Sequence, residues 1–448
     1  MNAFSRRGAC PALSAPMQTG DGLLVRLNPV DGGFTAKLLI ALAESALRHG
    51  NGIMEVTARG SLQIRGLTAQ SAPLLAAEVD ALGIAVRTGV PVETGPLAGI
   101  DPREIADPRP LAERIRAAIE EAGLTQRLGP KVSVVVDGGG QLTLDAVTAD
   151  VRLLAVRSSA GIRWLVSVAG DGQSARLLVV AEGDAARDVT VAALRMIAEK
   201  GRDAHARGLS ERQLVSLAGW LSLTGSREAR PSGRTEGGAS RKPIGLFPLA
   251  GHAVALGIAL PYGSMPAQNM IALAKSALSL GTTEIRLAPG RALLFLGQPP
   301  HANQSLQDIA AALGFVTSPT DPRTRIAACP GTPACASGRI ATRDLAETIA
   351  AENADILDFT LHISGCAKGC AHPGPAPLTI VGGENGAGLV VNATARALPA
   401  GYRPGYDAAR GISRIAAMIS GARFQGETAA ACLTRLGPVA IAEAYRQE

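Results

Sequence analysis

Six cysteines occur in this 448-residue chain, and four of them fall within one stretch of 42 residues. Cys329-Pro330-Gly331-Thr332-Pro333-Ala334-Cys335 is followed, thirty residues on, by Cys366-Ala367-Lys368-Gly369-Cys370, which gives C-x5-C and then C-x3-C. Thiolates bind soft metals, and four that converge suit either zinc or an iron–sulfur cubane. Structural zinc sites favour pairs two to four residues apart, so the five-residue gap is wide for zinc. Gly331, Gly338, Gly365 and Gly369 would let backbone N–H groups approach cluster sulfurs closely. The spacing therefore predicts a [4Fe–4S] cluster on Cys329, Cys335, Cys366 and Cys370, with zinc or four incidental buried thiols as the other readings. Cys10 and Cys432 stand apart. Cys10 is read as a buried thiol, with ligation as its alternative.

The rest of the composition narrows the setting. Six cysteines in so long a chain do not make a disulfide scaffold. Apolar residues make up 47% and charged residues 18%, as in a well-buried globular protein of more than one packed unit. No apolar run is long enough to span a bilayer, and the basic start Met1–Arg7 is followed by no apolar h-region. A cytoplasmic location without membrane contact is expected. The net charge of +6 is either incidental or the mark of a pocket for an anionic ligand. With 3% aromatics and no basic block beside them, nucleic acid is not an expected partner.

An internal repeat sets the elements that must position these residues. Ile40–Leu47 returns as Ile271–Leu278, an offset of 231, with one of eight positions changed. The same register carries Gly50 to Gly281, Gly66 to Gly297, and Ala81-Leu82-Gly83 to Ala312-Leu313-Gly314. Each copy reads strand, helix, strand, strand, helix. The first has strands at Leu23–Leu27, Ile53–Val56 and Leu62–Arg65, and helices at Ala36–Arg48 and Ala72–Leu82. The second has strands at Ala253–Leu260, Glu284–Leu287 and Ala292–Leu296, and helices at Ala267–Leu280 and Gln304–Leu313. Neither copy closes a sheet alone, so two ferredoxin-like half-domains are expected to pair about a pseudo-twofold axis. The predicted α+β organisation is an N-terminal arm and first half-domain over 1–89 and an α/β domain over 90–224. A flexible Gly/Ser/Arg/Glu-rich linker over 225–244, a second half-domain over 245–320 and a cluster-bearing α/β domain over 321–448 complete it.

The cysteine spacing and the two-copy build resemble the sulfite and nitrite reductase superfamily, and the match extends over nearly the whole chain. Thr57–Arg65 looks like that family's Thr-x-Arg-x-x-x-Gln-x-Arg/His strand pair, and Gly95–Pro102 like its turn after the first half-domain. Leu128-Gly129-Pro130-Lys131 falls where the reductases carry a lysine-rich active-site strand. Within the superfamily the resemblance narrows to the precorrin-3B synthase family of aerobic cobalamin biosynthesis. His362–Pro373 carries it, with Ala367-Lys368 between the cysteines. So do Arg6–Pro11, Pro16–Gly22 and Val135–Gly140. Reductases commonly hold two lysines two residues apart on the active-site strand; here Lys131 is followed at that spacing by Ser133.

The resemblance implies a [4Fe–4S] cluster whose last ligand, Cys370, faces a tetrapyrrole pocket, and a mononuclear non-haem iron. It implies oxygen-dependent hydroxylation of precorrin-3A with closure of a γ-lactone. The partners would be precorrin-3A, dioxygen and an electron donor, NADH or a donor protein, since no GxGxxG follows a strand. For the carboxylate-fringed substrate, Arg59, Gln63, Arg65 and Lys131 are the expected contacts; the alternative is that the arginines and Lys131 only face solvent. Positions 290 and 296 of the second copy hold Gly290 and Leu296 in place of Arg59 and Arg65, which confines that polar set to one copy. His362 and His372 would ligate a second iron, move protons or bond backbone. The competing functions are a sirohaem-dependent sulfite or nitrite reductase and a cluster protein that only carries electrons.

Overall fold

The computed structural model describes residues 11–30, 32–219 and 241–447. Cys10, the Arg6–Arg7 pair and most of the expected linker lie outside the described residues.

The repeated segments form two equivalent antiparallel sheets. The first runs Met17–Thr19, Gly22–Leu27, Leu62–Leu67, Ile53–Val56 and Ser264–Pro266; the second runs Gly245–Pro248, Val254–Ala259, Ala292–Leu296, Glu284–Ala288 and Gly33–Phe34. The outermost strand of each comes from the other copy. Ser264–Pro266 pairs with Ile53–Glu55, and Gly33–Phe34 pairs with Ile285–Arg286. Gly33 and Ser264 are themselves one repeat offset apart, so the exchange is reciprocal. It closes an edge that each half would otherwise leave open.

The most strongly repeated stretch becomes the interface. Helices Ala36–His49 and Ala267–Ser279 pack together, with Leu39, Leu42, Ala43 and Ala46 facing Met270, Leu273, Ala274 and Ala277 in one shared core. Alanines at helical spacing allow the two axes to approach closely. A half-domain therefore has no complete core of its own.

Two flanking sheets repeat one topology. Val92–Thr94, Val134–Asp137 and Ala149–Ser158 are parallel, followed by antiparallel Gly161–Gly170 and Arg176–Ala181. In the second, Ile326–Ala328, Leu361–Ser364 and Ala376–Gly383 are parallel, followed by antiparallel Gly386–Ala393 and Gly401–Arg403. Helices Arg109–Glu121 and Thr342–Glu352 make the crossovers after the first strand of each. Among the described residues no helix is long and apolar enough to cross a membrane.

Candidate active site

The four clustered cysteines leave the same edge of the second flanking sheet. Cys329 follows Ile326–Ala328 directly, and Cys366 stands two residues beyond Leu361–Ser364; these strands are adjacent and parallel, so their loops emerge together. Gly365 N–H donates to Cys329 Sγ at 3.1 Å, and Arg339 N–H donates to the Gly365 carbonyl at 2.8 Å. Lys368 Nζ reaches Ser337 Oγ at 2.9 Å and joins the two cysteine loops. Thr342 Oγ1, at the start of the crossover helix, bonds the Cys329 carbonyl.

Small residues make this approach possible. A Cβ on Gly365 would lie 3.1 Å from Gly331 Cα, 3.2 Å from Gly338 Cα and 3.5 Å from Cys329 Sγ. All four cysteines are free thiols. Burial, then the neighbouring Cys329, Cys366 and Cys335, raises the Cys370 pKa. Among the described residues no three His, Cys, Asp or Glu side chains close around a single ion. Four free thiols on two adjacent glycine-rich loops are the donor set that a cubane takes. Cys329 is buried and Cys370 exposed, so the set opens on one side.

The first flanking sheet builds the equivalent loops with carboxylates. Ile105 N–H donates to the Gly138 carbonyl at 2.8 Å, the counterpart of the Arg339–Gly365 bond. Asp137 accepts N–H bonds from Gly139 and Leu144, Asp101 from Arg103 and Gln141, and Glu104 from Gly99. Burial raises the Asp137 pKa, and burial raises that of Glu104 to about 7 against the Gly99 bond, with the Asp101, Asp107 and Asp137 charges adding to the rise.

Of the residues expected to meet substrate, three are held by protein. Arg59 forks onto Glu93 at 3.2 and 3.0 Å, and also donates to Ser133 Oγ at 3.0 Å and the Thr148 carbonyl at 2.8 Å. Ser133, at the position of the absent second lysine, is thus a partner of Arg59. Arg65 is 3% exposed and donates to Asp21 at 2.8 and 3.0 Å, to Glu55 at 3.3 Å and to the Ala334 carbonyl at 2.6 Å. Gln63 is buried, and with its amide suitably oriented donates to Glu55 at 3.1 Å and accepts from Arg26 at 2.7 and 3.0 Å. The polar atoms of Gln63 and Arg65 are thus engaged within the protein, and Arg65 braces the cysteine loop through the Ala334 carbonyl. Lys131 is exposed and has no polar partner among the described residues.

The sequence did not single out Glu55, Arg291 or Arg343. Glu55 is buried between Arg65 and Arg343. Arg291 occupies the repeat equivalent of Gly60, with φ +65 against +80 for the glycine. Its pKa is lowered by burial and then by the Arg343 charge. Comparing Arg59 with Gly290 alone misses it by one residue; the paired Gly60 gave the available signal.

His362 is fully buried, and neither ring nitrogen has a hydrogen-bond partner among the described residues, backbone groups included. Burial, then the neighbouring His372, lowers its pKa to about 4. His372 Nε2 lies 3.2 Å from the Pro375 carbonyl.

Comparison with known proteins decides the family. A precorrin-3B synthase from Sinorhizobium sp. is 40% identical over 447 residues, covering 99% of this chain and 96% of its own. The chain belongs to the precorrin-3B synthase family. Residues 15–82 also match the nitrite/sulfite reductase ferredoxin-like half domain, which places this precorrin-3B synthase family member in the sulfite/nitrite reductase superfamily. The ferredoxin–nitrite reductase of Synechococcus elongatus is 24% identical over 392 residues, covering 81% of this chain and 76% of its own. The solved structure of the Mycobacterium tuberculosis NirA protein superimposes with a TM-score of 0.73 at 18% identity, over 94% of this chain and 84% of that one. That likeness shows the fold, with the paired half-domains expected from the repeat.

Proposed function

We propose that this protein converts precorrin-3A to precorrin-3B in the cytoplasm. One atom of dioxygen would enter the macrocycle as a hydroxyl while an acetate arm closes a γ-lactone, and the other would leave as water at the expense of two electrons and two protons. The observation that carries the proposal is the 40% identity to a precorrin-3B synthase along almost the entire chain.

Cys329, Cys335, Cys366 and Cys370 would hold the [4Fe–4S] cluster. When bound, the cluster would supply electrons and a mononuclear non-haem iron the oxygen chemistry. The chain's own residues supply position and charge. Arg65 and Lys368 fix the two cysteine loops against the first repeat and against each other. Lys131, exposed and without a polar partner among the described residues, would be a cation able to meet a substrate carboxylate. Arg59 is already paired with Glu93, so its charge is largely met within the protein. Electrons would come from NADH or a donor protein; the nitrite reductase relatives are ferredoxin-dependent.

The test is aerobic turnover of precorrin-3A by purified protein with a reductant. The expected product is heavier by one oxygen, labelled when heavy-isotope dioxygen is used, from a brown protein without a Soret band. A Soret band with nitrite or sulfite reduction and no precorrin turnover would establish the sirohaem reductase instead.

A further inference from the structure

His362 stands on Leu361–Ser364 at 0% exposure, with both ring nitrogens unanswered among the described residues. Directly opposite it in register, on Ala376–Gly383, is Thr379, also at 0% exposure, whose hydroxyl is unanswered too. Leaving a buried polar group unpaired costs roughly 1–3 kcal/mol. Three such atoms on neighbouring strands, facing the same side of one sheet, call for a polar occupant.

His372 forms the opposite wall. Its ring stands edge-on to that of His362, with centroids 5.7 Å apart and planes inclined by 65°. With metal–nitrogen bonds near 2.1 Å, two imidazoles on one ion have ring centres roughly 4.5–5.5 Å apart, so these two rings stand a few tenths of an ångström from that spacing. An N–H on His372 Nε2 donated to the Pro375 carbonyl leaves Nδ1 with a lone pair directed elsewhere. Metal-bound histidines are commonly held this way, one nitrogen on the ion and the other on a backbone carbonyl. Gly369, at φ +64 in the Cys366–Cys370 loop, lies over the pair; a Cβ there would come within 3.6 Å of His362 Cε1.

We propose that His362 and His372 are the protein ligands of a mononuclear first-row transition-metal ion, iron in the working enzyme, seated beside the Thr379 hydroxyl under the Cys366–Cys370 loop. The proposal rests on the oxygenase reading above. Imidazole nitrogen suits such an ion. No third His, Cys, Asp or Glu side chain completes the set among the described residues. Water or substrate would fill the remaining positions.

The test is iron and acid-labile sulfide analysis with EPR on the full-length protein and on H372A and H362L. Wild type should contain one iron beyond the four-iron, four-sulfide stoichiometry, with a high-spin ferric signal separate from the cluster's. Both variants should lose that iron and signal while keeping four irons and four sulfides. Should H362L lose its cluster through misfolding, H372A, altered at a partly exposed position, decides. Retention of the additional iron and its unchanged signal in H372A would overturn the assignment while leaving the oxygenase reading intact. Wild type with a cluster but no further iron overturns both the assignment and the need for a mononuclear centre. Absence of labile sulfide strikes the cluster reading itself.

Discussion

Arg65 Nη2 donates to the carbonyl of Ala334, the residue before Cys335, at 2.6 Å. One side chain of the first repeat thereby supports a loop 269 residues away in the chain. The same guanidinium is paired with Asp21 and Glu55.

Arg65→Ala removes that support and the cation beside Asp21, which keeps only the neutral donors Asn51 and Thr19, and leaves Glu55 with Arg343 and Gln63 alone. Breaking a buried pair on one side costs about 3–5 kcal/mol. The melting temperature should fall accordingly, and iron should be lost on gel filtration faster than from wild type. Arg65→Lys keeps the charge but loses the fork, and should fall between the two.

Cys335→Ser should abolish the visible absorption and the acid-labile sulfide. Cys432→Ser should not, although Cys432 is fully buried in the core of the second flanking sheet. Its effect should be confined to thermal stability. Cluster retention in Cys335→Ser would refute the ligand assignment.

Arg59→Ala cuts the links to Glu93, Ser133 and Thr148 between the first repeat and the first flanking sheet. The Arg59–Glu93 pair is about one-third exposed, so the stability loss should be about 1 kcal/mol by denaturant melting, with iron content unchanged. Lys131→Ala should leave stability alone and raise KM for precorrin-3A.

Glu104 gives a pH dependence of definite sign. Its carboxyl titrates near 7 in the folded chain against an ordinary 4.5, so the folded state binds more protons across that interval. Stability from this group is full below about pH 4.5 and is lost as pH rises through 7. Glu104→Gln should flatten that part of the profile in melts from pH 5 to 8. It should gain on the order of 1–2 kcal/mol at pH 8, allowing for partial exposure.

The cysteine spacing, the 231-residue repeat and the helix limits were legible because each is local or periodic. Ala267–Ser279 lies one residue inside its expected span, and Ile53–Val56 lies on its own. The exchanged strands were not legible. Gly33–Phe34 has two residues, too few for a period-two pattern, and its partner is about 250 residues away. Charge type was likewise visible for Arg59, Arg65 and Gln63, but the direction of each side chain depends on carboxylates brought near by folding.

The sequence by itself determined that four thiols would be presented in two short loops and that two related halves would share one core. Residue type, spacing and periodicity suffice for that. Only the tertiary structure decided that Arg65 serves the cysteine loop, that carboxylates hold the equivalent loops of the first flanking sheet, and that His362 is buried with no partner among the described residues. Those facts depend on which distant strands become neighbours and on what burial then leaves unpaired.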